Sequence, residues 1–389
     1  MNILQNTPED IAIAGEALRD GKLVAIPTET VYGLAGNIWN ESAIAGIFKA
    51  KARPKFDPLI VHIADPHDIS LIADISTESH NESHSSNYSS SRQGPHSLLN
   101  STKSDSAANR QALSYVDKLI AAFWPGPLTL ILPKKSCVSN LITSGLPTVA
   151  VRCPALELTR NIIRSAGVPI AAPSANLFGR LSPTTAHHVA EQLGDRIDYI
   201  VDGGQTSIGV ESTIVDISGS VPVVLRPGAL PLESLRSIIP NLEVHGEKEF
   251  ELPAAPGQLM SHYAPQKPLV LLGPHTLTSD HDISAAAAML DKSFSDCNTP
   301  MLKPSAHKIA VTFGSIRTRE VSSTGFFEAV IDLSPQGSDL EAAVKLFLVL
   351  HELETNSCTS IWVEQLPPKG LGLAINDRLY KASYIKHGK

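Results

Sequence analysis

The chain has 389 residues, 42% of them hydrophobic and 18% charged, with a formal net charge of −7. At roughly 100–200 residues per domain this predicts two domains with real cores, and no apolar run approaches the length of about 20 that a membrane helix needs. Lys and Arg number 19 against 23 Asp and Glu before residue 246, and 13 against 16 after it. Neither half is therefore the basic surface that sequence-independent nucleic-acid binding requires.

The N-terminus, MNILQNTPEDIAIAG, lacks the basic start and apolar core of a secretory signal, so a cytoplasmic protein is expected. A helical pattern over Ile11–Arg19 comes next, behind Pro8, Glu9 and Asp10. Short apolar runs bounded by breakers predict strands at Leu23–Pro27, Leu59–Ile63, Leu128–Leu132, Val149–Arg152, Ile170–Ala172, Thr213–Ile217 and Val221–Leu225. Helical patterns fall between them, at Ser42–Lys51, Leu113–Phe123, Leu156–Ala166 and Thr184–Leu193. Residues 1–245 thus read as an α/β domain of mixed sheet, able to fold without the C-terminal part of the chain.

Inside it, residues 76–110 hold 12 serines in 35 positions and few large apolar side chains. Such a stretch buries too little apolar surface to offset the ordering of its backbone, and it reads as a disordered insertion. Its His80, His84 and His96 read as solvated, and no metal site is expected. The four cysteines, Cys137, Cys153, Cys297 and Cys358, have neither metal-ligand spacing nor the density of a disulfide framework.

Residues 246–267 carry Pro253, Pro256 and Pro265 and no sustained period, which marks a stiff linker. Its Leu259, Met260 and Tyr263 are too apolar for a free tether, so it is expected to lie as a lid across the cleft of the first domain. Alternation restarts in 268–389. Strands are predicted at Pro268–Leu272, Ile309–Phe313, Ala329–Leu333 and Ile361–Val363, and helices at Ser284–Lys292, Asp339–Leu353 and Leu373–Lys386. This is a smaller Rossmann-like parallel-sheet domain, without the GxGxxG loop that a dinucleotide would need.

Candidate chemistry sits where predicted strands end, the place ligands take in open α/β sheets. Pro27–Leu34 (PTETVYGL) puts hydroxyls and a carboxylate after the first strand, suited either to a polar ligand or to an ordinary capped turn. Lys51, Arg53 and Lys55 stand in a loop bracketed by Pro54 and Pro58, a pattern suited to a polyphosphate. Arg152 ends a buried strand, where it needs either a ligand carboxylate or a structural ion pair. Ser174, Asn176 and Ser182 follow another strand, Gly209–Asp216 is preceded by a glycine-rich loop, and Arg226 closes a last strand. No Walker A, HExxH or GxSxG motif is present.

Seven segments in order resemble the YrdC-like threonylcarbamoyl-adenylate synthases: PTETVYGL, KARPKFDPLIVHI, WPGPLTLIL, TVAVRCP, APSAN, GVESTIVD and LRPG. Ala255–Pro265 (APGQLMSHYAP) resembles the linker of the long members, which add a Rossmann-like C-terminal domain. The resemblance implies a YrdC-like mixed, twisted sheet. It also implies that L-threonine, bicarbonate and ATP, with Mg²⁺, give threonylcarbamoyl-adenylate and pyrophosphate. A downstream transferase would then carry the threonylcarbamoyl group to adenosine in tRNA, so that tRNA is met only indirectly. By motif, Thr30, His62, Arg152, Ala172 and Ser212 would hold threonine. Arg53, Asp57, Thr148, Ser174, Ser182, Arg226 and Tyr263 would hold ATP, with Lys51 and Arg53 as the catalytic cations beside the phosphates. Asp57 departs from the pattern, because an uncharged polar residue is expected there. Two rivals share the domain: a carbamoyltransferase-type maturation enzyme, disfavoured by the lack of CxxC pairs, and a non-catalytic RNA-binding module, disfavoured by the acidic balance.

Overall fold

The structure, a computed structural model, describes residues 2–75, 114–245, 255–257, 263–279, 281, 283–285 and 307–383. The expected insertion at 76–110, most of the 246–267 segment, Cys297 and most of the helix expected at 284–292 lie outside these residues.

Among the described residues, one sheet has eleven strands. In chain order they are β1 (Asn2–Leu4), β2 (Val24–Ile26), β3 (Gly33–Asn37), β4 (Ile60–His62), β5 (Leu128–Pro133), β6 (Thr148–Arg152), β7 (Ile170–Ala171), β8 (Tyr199–Val201), β9 (Thr213–Asp216), β10 (Val223–Arg226) and β11 (Glu243–Val244). They lie in the order β1-β8-β2-β3-β7-β4-β6-β5-β9-β10-β11. The pairings are mixed: β4 runs parallel to β6, for example, and antiparallel to β7. Helices α1 (Pro8–Arg19), α2 (Glu41–Lys51), α3 (Val116–Phe123), α4 (Asn140–Thr143), α5 (Glu157–Ala166), α6 (Ala186–Leu193) and α7 (Leu232–Arg236) connect the strands.

The mixed sheet and all seven predicted strands are therefore present. Helix α1 starts earlier than its apolar pattern, because the Thr7 side chain accepts from the Asp10 amide and Pro8 takes the first turn. Strand β3 was not foreseen. Its GLAGN sequence has turn composition, yet it pairs with both β2 and β7. Gly36 lies close against α2 there, since a Cβ would stand 3.0 Å from the Ile47 Cδ1.

The second sheet has four strands, all parallel: β12 (Leu269–Leu272), β13 (Lys308–Thr312), β14 (Ala329–Asp332) and β15 (Ser360–Glu364), in the order β12-β15-β13-β14. Helices α8 (Ser315–Ser323), α9 (Asp339–Thr355) and α10 (Gly372–Ser383) accompany it. Ser338 caps α9 by accepting from the Glu341 amide. Of these elements only α8 was not predicted; its exposed, polar sequence has no apolar stripe.

One hydrophobic cluster crosses between the two sheets. Leu181, Val210, Ala229 and Tyr263 pack with Ala343, Leu346, Phe347 and Leu350 of α9. The backbones meet there too: a Cβ on Gly209, at φ +83°, would lie 2.3 Å from the Ala343 carbonyl oxygen.

Two histidines stack across the same seam. The rings of His188 on α6 and His351 on α9 are 3.8 Å apart and inclined by 17°. Burial, and then the cost of charging a ring stacked on His351, pushes His188 down to about 3; burial pushes His351 down to about 4 against a bond to the Ser182 carbonyl. Both stay neutral in the folded chain, while the unfolded chain takes up protons near pH 6.5. Their contribution to stability is thus complete above pH 6.5 and is lost as pH falls towards 4, by up to about 1.4 kcal/mol per pH unit for each ring. Thermal melts should show the midpoint falling between pH 7 and pH 5, and falling less in His351→Phe. A flat profile would contradict the neutral stack.

Candidate active site

A cavity opens at the end of the large sheet where β2, β4 and β6 finish and β9 begins. Thr28, Thr30, Val31, Tyr32 and Gly33 line it after β2, and Arg53 joins them from the loop after α2. Ile60 and His62 come from β4, Arg152 from β6, and Ala172, Pro173 and Ser174 from beyond β7. Glu211, Ser212 and Arg226 form another wall, and the linker adds Pro256, Gly257 and Tyr263. Nine of the thirteen residues singled out in the sequence thus meet in one place: Thr30, Arg53, His62, Arg152, Ala172, Ser174, Ser212, Arg226 and Tyr263.

Register explains part of this convergence. β4 and β6 are parallel with His62 opposite Arg152 and Ile60 opposite Ala150, so both polar side chains fall on one face. Thr148 shares that face at the far end of β6, four residues from Arg152, and does not line the cavity. Between the two ends lies an apolar patch of Ile60, Ile131, Ala150 and Ile214, and Ala255 of the linker packs on it. Of the linker, Ala255 thus lies on the first sheet.

Three arginines have buried acidic partners. Arg152 Nη2 stands 2.6 Å from Glu29 Oε1, while Nη1 donates to Thr30 Oγ1 at 2.9 Å and Nε donates to the Gly126 carbonyl. Of the two readings left open for this residue, the structure shows an ion pair. Arg53 Nη2 lies 2.9 Å from Asp57 Oδ2 and donates to the Pro58 carbonyl. Asp57 is fully buried behind Arg53 and does not line the cavity. Burial pushes its carboxyl up, against the pull of Arg53, Lys51 and Arg226. Glu211 is held by Arg378 of α10 at 2.6 Å and accepts from Ser182 Oγ. Ser182 is thereby turned to Glu211, and it too is not on the cavity wall.

Two cations lack an acidic partner among the described residues. Arg226 donates to the Ser212 carbonyl and Oγ and, through Nη1, to the Pro256 carbonyl. Lys51 Nζ donates to the carbonyls of Ser174 and Asn176, and desolvation holds its pKa well below the usual lysine range. Lys51 is not on the wall either; it fixes the loop that carries Ser174. With three arginines paired to carboxylates, Arg226 is left on the wall without an ion-pair partner, and this positive surplus suits an anionic ligand.

On the opposite wall, Thr30 Oγ1 and Thr28 Oγ1 are 2.8 Å apart, and both residues are buried. Burial, then Arg152, pushes His62 down to about 3. Its Nδ1 faces the Ile60 carbonyl at 3.3 Å, so the proton sits on Nδ1 and Nε2 is left as an acceptor. Glu29, Glu211, Tyr32 and the linker glycine had no assigned role in the sequence. Glu29 and Glu211 stand inside two of the seven motifs, but their pairing with distant arginines has no sequence signal.

A family model described as "Telomere recombination", covering Sua5, YciO and YrdC, matches residues 16–114 and 100–228. A second, described as "Threonylcarbamoyl-AMP synthase, C-terminal domain", matches residues 230–383. The chain is similar to a threonylcarbamoyl-AMP synthase of Pyrococcus abyssi, at 37% identity over 96% of this chain and 94% of the relative. It is also similar to one of Bacillus subtilis, at 36% identity over 97% of this chain and 94% of the relative. Among solved structures, P. abyssi Sua5 complexed with L-threonine superposes with a TM-score of 0.75 at 36% identity, covering 98% of this chain and 97% of that one. Two matched domains in the right order, a mixed sheet joined to a parallel one, and a cationic cavity built from the shared motifs agree, and the chain belongs to the long-form threonylcarbamoyl-AMP synthase family.

Proposed function

We infer that the protein is a threonylcarbamoyl-AMP synthase, making threonylcarbamoyl-adenylate and pyrophosphate from L-threonine, bicarbonate and ATP. The product serves formation of threonylcarbamoyladenosine in tRNA. The observation that carries this reading is the single cavity with a hydroxyl-lined, histidine-bearing wall on one side and surplus positive charge on the other.

In the reaction, the threonine amine condenses with bicarbonate to a carbamate, with loss of water. A carbamate oxygen then attacks the α-phosphorus of ATP, and the bond to the β-phosphate oxygen breaks to release pyrophosphate. Such transfers need little covalent help, so positioning and charge neutralisation supply most of the rate. Arg152 receives the threonine carboxylate while still paired to Glu29. Thr30 and His62 take the hydroxyl, and Ala172 and Ser212 close that half. Arg53, Ser174 and Arg226 take the nucleotide, with Tyr263 over it as part of the lid. Thr148 and Ser182 are assigned to the nucleotide half by motif alone, and Lys51 acts through the Ser174 loop. Mg²⁺ enters with the ATP phosphates as part of the substrate. Among the described residues no helix is long and apolar enough to cross a membrane. We place the reaction in the cytoplasm, where ATP and tRNA are, ahead of a transferase that consumes the adenylate.

Pyrophosphate release from ATP, measured with each of the twenty amino acids with and without bicarbonate, tests the reading. Release should require threonine and bicarbonate together. Release independent of bicarbonate, or equal across the amino acids, would refute it.

A further inference from the structure

The C-terminal helix α10 reaches into the wall of the cavity from the other sheet. Asp377, Arg378 and Lys381 stand on it within one turn of one another. Arg378 is 1% exposed. Its Nε donates to Glu211 Oε2 at 2.6 Å, its Nη1 donates to the Pro227 carbonyl at 3.0 Å, and its guanidinium lies 5.1 Å from the centre of the Tyr263 ring. Lys381 Nζ, itself paired with Asp377, donates to the Gly257 carbonyl at 2.8 Å. Gly257 and Tyr263, with Pro256, are linker residues on the cavity wall, and Glu211 is a wall carboxylate. The linker is thus gripped between Arg226, which bonds the Pro256 carbonyl, and α10, which bonds the next carbonyl along.

The charge of Glu211 makes this grip more than a packing contact. Burial alone would raise its carboxyl, and the guanidiniums of Arg378 and Arg226 outweigh that and hold it ionised. An ionised carboxylate on the wall of a cavity that takes polyphosphate repels the ligand unless a fixed cation cancels it. Arg378 is that cation. Ser182 Oγ donates to the other oxygen of the same carboxylate.

We propose that Arg378 is a positioning residue of the nucleotide site: by neutralising Glu211 and backing Tyr263, it lets α10 of the second sheet set the affinity of the first for ATP. This rests on the synthase reading, and it gives the second sheet a part in that reaction.

The test uses the full chain and compares four forms, the unchanged protein, Arg378→Gln, Glu211→Gln and the double variant, with folding checked by thermal melt. Pyrophosphate release by the unchanged chain decides the synthase reading. The ATP KM of the variants relative to it decides the role of Arg378. Arg378→Gln should raise the ATP KM at least about tenfold, a difference of about 1.4 kcal/mol, with the threonine KM changed far less. Removing the orphaned charge in the double variant should recover most of that loss, and Glu211→Gln alone should lower the ATP KM. A contact with only a packing role predicts no recovery. If Arg378→Gln does not fold, Arg378→Lys and Glu211→Gln remain decisive, since the first keeps the charge and should hold the ATP KM within about threefold. An unchanged ATP KM in Arg378→Gln, no recovery in the double variant, or a tenfold rise in Arg378→Lys or in Glu211→Gln alone would overturn the proposal.

Discussion

2-Aminobutyrate, which is threonine without its hydroxyl, should support pyrophosphate release about 10⁴-fold less efficiently than threonine. The magnitude comes from the wall that meets the hydroxyl. Thr30 is fully buried and His62 is 2% exposed, so neither can turn to bulk water when the ligand offers no partner. His62 is neutral at any working pH, with Nδ1 committed to the Ile60 carbonyl and Nε2 free to accept. The threonine hydroxyl can donate to that nitrogen. An analogue with a methylene hydrogen there leaves a buried acceptor unsatisfied, and the site loses the bond without regaining the hydration it gave up. Steady-state kcat/KM for the two amino acids, at saturating ATP and bicarbonate, reads the ratio directly. A ratio near one would remove hydroxyl recognition from this wall. Because His62 carries no charge, the preference should be flat from pH 6 to pH 8.

Arg152→Ala should lose threonine turnover and stability together. The stability loss has a local cause. Glu29 is 7% exposed, and Arg152 is the cation paired with it. Removing one partner of a buried pair strands the other charge, at a cost of about 3–5 kcal/mol. Denaturant unfolding should show a loss of that order. The threonine KM should rise by about 100-fold or more, because the substrate carboxylate has then lost its guanidinium. Adding Glu29→Gln should separate the two effects: stability returns in large part, since no buried charge is left unpaired, while turnover stays low. Recovery of turnover in that double variant would show that Arg152 serves the fold and not the substrate.

Much of this arrangement is legible in the sequence. Strand-end residues such as His62, Arg152 and Arg226 can be placed because short apolar runs fix where a strand stops, and the strand ends converge. The unforeseen strands are those whose sequences carry no strand signal. β3 is rich in glycine, and β1, β8 and β11 have three residues or fewer. The acidic partners are illegible for another reason. Glu29 pairs with a residue more than a hundred positions away, and Glu211 with one on the other sheet. Such pairings are decided by tertiary packing alone. Asp57 shows the same limit in reverse, for its motif suggests a ligand while its geometry makes it the partner of Arg53.

The apolar seam between the sheets bears on how the chain unfolds. Leu181, Val210 and Ala229 belong by sequence to the first sheet and by packing to α9. A chain cut at residue 246 would bare them to water and leave Glu211 without Arg378, so the first region alone should be less stable than it is in the full chain. Each sheet also has a core of its own, and the seam joins the two. The melting of one bares the seam residues of the other, so calorimetry should record a single transition, with equality of the calorimetric and van 't Hoff enthalpies as the test of that coupling.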